Sequence, residues 1–135
     1  MNNPLYDNLF GKYLDAETVF IETTNDKVIT HGGFVVMAAR LANVFKSLGL
    51  KKGDRLAIQV EKSVTALCIY AACVQSGIIF LPLNTGYTSN EIKYFIKDSG
   101  SKLLVCDDEK LSEIKITLQD TEIELLTLNE DETGS

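Results

Sequence analysis

The chain has 135 residues, 45% of them apolar, and a formal net charge of −6. That much apolar material fills one core in the usual size range of a single domain and argues against disorder of the whole chain. Residues 1–106 hold 11 Lys/Arg against 9 Asp/Glu and residues 107–135 hold 2 against 10, a balance that offers nucleic-acid phosphates no basic platform.

Residues 3–14 carry Leu5, Leu9, Phe10 and Tyr13 at helical spacing, which predicts a short amphipathic helix. Residues 18–22 and 27–30 alternate apolar and polar positions around the turn residues Thr24, Asn25 and Asp26, the pattern of a small antiparallel hairpin. Phe34, Ala38, Leu41, Phe45 and Leu48 then mark one buried face of a helix over about 33–48, with Gly49 placed to end it. After the turn residues Lys52, Gly53 and Asp54 comes a strand at 56–60.

Ser63 suits an N-cap for a helix over Val64–Ser76 that is apolar almost all round and closes at Gly77. A helix without a polar face must be covered on most sides. A strand at 78–83 follows. Thr88 and Glu91 have capping-box spacing and open a helix whose Ile92, Phe95 and Ile96 share a face and which Gly100 terminates. A strand at Leu103–Cys106, a weaker helix at 109–118 and a strand at 123–128 complete the series. This alternation implies right-handed crossovers and a parallel sheet with flanking helices, an α/β layered unit over residues 1–128. Residues 129–135 are polar and acidic and read as a flexible tail.

The first residues reach Asp7 without a basic segment leading into an apolar one, so no secretory or transit signal is visible and a cytoplasmic location is expected. The longest apolar stretch, 66–83, is broken by Gln75, Ser76, Gly77 and Pro82 and falls short of the roughly 20 apolar residues of a membrane span. Cys68, Cys73 and Cys106 sit in apolar surroundings and read as packing thiols. The Cys68–Cys73 spacing is not that of a zinc site and His31 is remote in sequence, so no metal ligand is assigned.

Taken together, GDRLAIQVEKS from Gly53 to Ser63, the helical run to Gly77 and IIFLPLNTGYT over 78–88 resemble the start of an adenylate-forming acid–CoA ligase, most like the malonyl-CoA synthetases. Ile29-Thr30-His31-Gly32-Gly33-Phe34 is similar to the family's Leu-Thr-Tyr-x-Glu-Leu type of motif, and Gly77 to Asn84 to its Gly-x-x-x-x-Pro-Leu-Asn motif. The likeness runs from the opening helix to about Leu128. It departs at Gly33, where the family usually has Glu; the missing reciprocal capping bond costs a few tenths to about 1 kcal/mol.

The resemblance implies a two-step reaction, in which a carboxylate attacks ATP to give an acyl-adenylate and pyrophosphate and the CoA thiol then displaces AMP. ATP, Mg²⁺ and CoA would serve the parent enzyme, and malonate or a fatty acid would be its small carboxylic acid. The family's phosphate loop, adenine pocket and adenylation Lys would all lie beyond Ser135. The chain is therefore expected to be the truncated first subdomain of the ligase fold, inactive alone. Its partner would be the remainder of the ligase chain, with self-association through exposed apolar faces. No catalytic, cofactor-binding or metal residue is assigned.

Four groups of residues invite a functional reading. Glu61 and Lys62 lie at the carboxyl end of a strand, where open α/β sheets place ligands, but solvent and a helix dipole select such a pair as well. Asn84 and Tyr87 follow the Pro82 strand, and Asn84 is expected to bond backbone in a turn. Asp107 and Asp108 follow a strand as in a phosphate-accepting receiver domain, but that domain's phosphorylated Asp at the end of a central strand and its Lys at the end of a later one do not appear in order. Lys51 and Lys52 read as a solvated turn. A free-standing α/β binding or interaction module is the rival reading; a dinucleotide-binding domain lacks its glycine fingerprint here.

Overall fold

A computed structural model describes residues 2–135. Helix α1 (Pro4–Leu9) begins at Asn3, whose side chain accepts a bond from the Tyr6 N–H at 3.1 Å, with Pro4 in the first turn. It is shorter than the periodicity over 3–14 predicts. Phe10 leaves helical geometry and turns inward onto Phe34 and Tyr70, with ring centroids 5.8 and 6.4 Å away, and Gly11–Tyr13 form a single 3-10 turn. Strands β1 (Val19–Glu22) and β2 (Val28–Thr30) pair antiparallel, as the turn chemistry between them predicts.

Thr30 caps α2 (His31–Ser47), which starts two residues earlier than its apolar stripe suggests. The α/β alternation then runs β3 (Arg55–Gln59), α3 (Val64–Ser76), β4 (Ile79–Pro82), α4 (Ser89–Ser99), β5 (Leu103–Cys106), α5 (Asp108–Thr117) and β6 (Glu124–Thr127). Ser63 caps α3 as predicted, and Gly77 closes it at φ 69°, a left-handed conformation that glycine adopts without strain. The capping box of Thr88 and Glu91 is formed in full.

The four main strands are all parallel, in the order β4-β3-β5-β6. Ala57 stands opposite both Leu81 and Leu104, and Leu104 opposite Leu125. Alternate residues serve the two faces. Leu56, Ile58, Leu103 and Val105 meet Phe45 of α2 and Ile69, Ala72 and Cys73 of α3. Ala57, Leu104 and Cys106 meet Ile92 and Ile96 of α4 and Ile114 of α5. Each such Leu or Ile contributes about 1.5–3 kcal/mol by burial.

A further layer explains why α3 has no polar face. Its Val64, Cys68 and Ala71 look away from the sheet and pack with Phe34, Val35 and Ala38 of α2, with Phe10, and with Ile29 of β2. Burial pushes the Cys68 and Cys73 thiols up to about 12 and the Cys106 thiol up to about 11, so all three behave as small apolar side chains.

Residues 129–135, read from composition as a flexible acidic tail, turn back on β6. Asn129 N–H donates to the Thr133 carbonyl at 2.8 Å, Leu128 bridges Gly134, and the Glu132 carboxylate accepts from the Thr65 N–H at 2.8 Å. Composition registers the charge of these residues and misses that one carboxylate finds donors 67 positions away in the chain.

The two adjacent glycines at the start of α2 predict opposite mutational effects. A Cβ on Gly32 would stand 2.6 Å from the Leu14 carbonyl oxygen and 3.0 Å from that of Ala16, so Gly32→Ala forces backbone apart and costs about 1–3 kcal/mol. A Cβ on Gly33 meets only the Thr30 Oγ1, at 3.0 Å. That hydroxyl can give, because in α4 the same capping bond onto Glu91 runs at 3.3 Å. Gly33→Glu therefore completes the capping box and stabilises by about 1 kcal/mol, which urea denaturation of both variants measures.

Candidate functional site

The strand order reverses beside β3: the chain leaves β3 to build β4 on one side and returns to place β5 on the other. Open α/β sheets leave a crevice at the carboxyl ends of the strands at such a point. Here it is an open cleft of about 830 Å³, lined by Gln59, Val60 and Glu61 after β3, Thr85 and Gly86 after β4, Asp107 to Lys110 at the start of α5, and Asn129 to Asp131 after β6.

Gln59 organises the floor. It is 1% exposed, and its Nε2 donates to the Asn84 carbonyl at 2.9 Å and the Tyr87 carbonyl at 3.1 Å, tying the loop after β4 to the end of β3. Its Oε1 is buried without a partner. Asn84 makes the predicted turn, its Oδ1 accepting from the Gly86 N–H at 2.8 Å, and Tyr87 stacks on Phe95 with centroids 5.0 Å apart.

Three of the carboxylates, Asp107, Asp108 and Asp131, have local structural partners. Asp107 Oδ1 caps α5 by accepting from the Glu109 N–H at 2.9 Å. Asp108 accepts from Asn129 Nδ2 at 2.8 Å, and bonds from Asn129 and Thr127 hold its carboxyl below the usual range. Asp131 is held low in the same way by the Thr133 hydroxyl and N–H. Lys110 is the single cation lining the cleft among the described residues, and its Nζ donates to the Thr85 carbonyl at 2.7 Å.

Of the residues singled out in the sequence, the fold brings Glu61, Asp107 and Asp108 into one cleft. Lys62 does not line it. The Lys51 N–H bonds Asp54 at 2.7 Å, and Lys52 lies against Gly77 in the turn before β4. Sequence reasoning missed Gln59, Lys110 and Asn129. The one available signal for Gln59 is a polar residue closing an otherwise apolar strand.

With six carboxylates and one engaged ammonium, the cleft attracts hydrogen-bond donors and repels anions. These residues do not fit the phosphates of ATP or CoA. No set of three or more His, Cys, Asp or Glu among the described residues is placed to hold a metal ion, and no helix is long and apolar enough to cross a membrane.

Residues 11–134 match the family described as AMP-binding enzyme, and the chain belongs to that family. Over its whole length it superposes on MatB from Rhodopseudomonas palustris, a structure with ATP bound, at a TM-score of 0.93 and 42% identity, covering 27% of that chain. It is 31% identical over 86 residues to the long-chain-fatty-acid–CoA ligase FadD13 of Mycobacterium tuberculosis, across 64% of this chain and 17% of the relative. It is 31% identical over 111 residues to an acetyl-coenzyme A synthetase of Ralstonia pickettii, across 81% of this chain and 17% of the relative. The chain thus spans about a sixth of the length of these two curated relatives. Coronafacic acid ligase from Pectobacterium brasiliense, at 24% identity and a TM-score of 0.80, shares the fold.

The Gln59 arrangement generates a test. Gln59→Leu relieves the orphaned Oε1 but strips two loop carbonyls of their donor. Because the two lost bonds outnumber the one relieved atom, the variant is expected to lose about 1–3 kcal/mol in urea denaturation. A neutral or stabilised variant would show that the loop does not depend on this side chain.

Proposed function

We propose that this chain is the N-terminal structural portion of an ATP-dependent acid–CoA ligase of the malonyl-CoA synthetase type. The whole ligase would join a carboxylic acid to CoA while ATP is converted to AMP and pyrophosphate. The observation that carries this reading is the full-length superposition on ATP-bound MatB at 42% identity. FadD13 at 31% identity keeps a fatty acid as the alternative substrate to malonate.

Within that enzyme the segment supplies a rigid layer and none of the reacting groups. An acidic cleft repels the phosphates on which the chemistry would act, so the residues that bind ATP, Mg²⁺ and CoA belong to the remainder of the ligase chain. The three buried free thiols fit a reducing compartment and support a cytoplasmic location.

Malonate-dependent ATP–pyrophosphate exchange tests the proposal. It is expected in the longer native polypeptide carrying this N-terminus and absent from the 135-residue chain. Exchange by the short chain, or a native product of this size, would overturn the reading.

The same reading predicts association. Strands β4 and β6 are the two edges of the sheet, and Ile79 on β4 is 47% exposed, as are Val44 and Leu67 at about two-fifths on the helices. Unpaired edges and apolar faces of this kind pair with other copies. Size-exclusion chromatography of the isolated chain is expected to show species larger than the monomer, and a sharp monomer peak at high concentration would count against it.

A further inference from the structure

The turn that follows β6 is built in a way that burial does not explain. Residues 129–135 contain no apolar side chain, yet Glu132 sits at φ 67°, a left-handed conformation that non-glycine residues avoid. Something must hold it there. Its carboxylate accepts from the Thr65 N–H at 2.8 Å, from the Thr65 hydroxyl at 3.0 Å and from Lys27 Nζ at 3.0 Å.

Lys27 belongs to the turn between β1 and β2, and Thr65 to the first turn of α3. One side chain therefore ties together three pieces of the molecule that lie far apart in sequence. Burial pushes the Glu132 carboxyl up, but the bonds from Lys27 and Thr65 outweigh it and leave it below its ordinary value.

A second anchor lies at the other end of the turn. The Thr127 N–H donates to Ser135 Oγ at 2.9 Å and the Ser135 N–H returns to Thr127 Oγ1 at 3.0 Å. Gly134 lies so close to β6 that any Cβ there would collide with the Thr127 carbonyl. Between the two anchors, Glu132 to Ser135 border a groove of about 310 Å³ whose other walls include Leu41 and Val44 of α2, Leu48 just after it, and Leu126 of β6.

We propose that residues 129–135 form a strap latched by Glu132 across this apolar groove, and that removing the Glu132 carboxylate frees the strap and opens the groove while the sheet stays folded. The inference goes beyond the ligase reading and does not rest on it. A segment held only by polar anchors at the surface opens at far lower free energy than a buried sheet, which is what makes the strap separable from the core.

Amide hydrogen exchange followed by NMR on the 135-residue chain tests this with Glu132→Gly. Glycine suits the left-handed backbone better than Glu, so a Glu132 that merely occupies a turn predicts unchanged or slower exchange in the variant. The latch predicts the reverse at two amides that do not touch Glu132's side chain. Exchange at Asn129 and Ser135 should rise by about tenfold or more, with added fluorescence of an apolar dye, while Ala57 and Leu104 in the sheet keep their protection. Lys27→Met, which weakens the latch without altering the strap, should raise the same two amides to a smaller extent. Unchanged exchange at Asn129 and Ser135 in Glu132→Gly, or an equal loss of protection through β3 and β5, would overturn the proposal.

Discussion

Everything in this molecule is arranged around the need to bury both faces of two neighbouring strands at once. Leu56, Ala57 and Ile58 of β3 and Leu103, Leu104, Val105 and Cys106 of β5 are all buried. Their backbone groups are satisfied by parallel pairing, and parallel neighbours must be joined by crossovers that carry the chain over a face of the sheet. Those crossovers, with α2 leading in from the hairpin, supply the cover. Helices α2 and α3 lie over one face and α4 and α5 over the other, and the short hairpin with α1 exists to cover the far side of α2 and α3.

The same constraint places the cleft and decides its charge. Both crossovers around β3 leave the carboxyl ends of the strands, so the loops and helix starts gather on one rim. Helix N-termini favour carboxylates, which accounts for Asp107 as the cap of α5, Asp108 and Glu109 in its first turn, and Glu61 just ahead of α3. Four of the six carboxylates on the rim thus stand at or just before helix starts, and the other two, Glu130 and Asp131, follow β6. An acid-lined crevice is a poor place for phosphate, and this agrees with the proposal that the segment's contribution is architectural.

Much of this was legible in the sequence because the signals were local and repeated. The step of four and three along Phe34 to Leu48, the Ser63 cap with Gly77, and the box of Thr88 and Glu91 each depend on residues within a turn or two. What escaped depends on distant partners. Phe10 ends α1 because Phe34 and Tyr70 receive its ring. Gln59 matters because the loop of Asn84 and Tyr87 comes back over it. Glu132 looked like one more acid in a polar tail, and only the fold shows Thr65 and Lys27 waiting for it. Gly32 and Gly33 are indistinguishable as letters; the approach of the Leu14 and Ala16 carbonyls separates them.

The most direct measurement is a titration of the isotopically labelled chain with ATP and Mg²⁺, following backbone amides by NMR. A layer that shapes a ligase without holding its nucleotide should show no saturable shifts at Gln59, Lys110 or Asn129, whose loops form the cleft. Saturable shifts at those amides would mean that the cleft binds nucleotide despite its carboxylates, and would contradict the architectural role proposed for this segment.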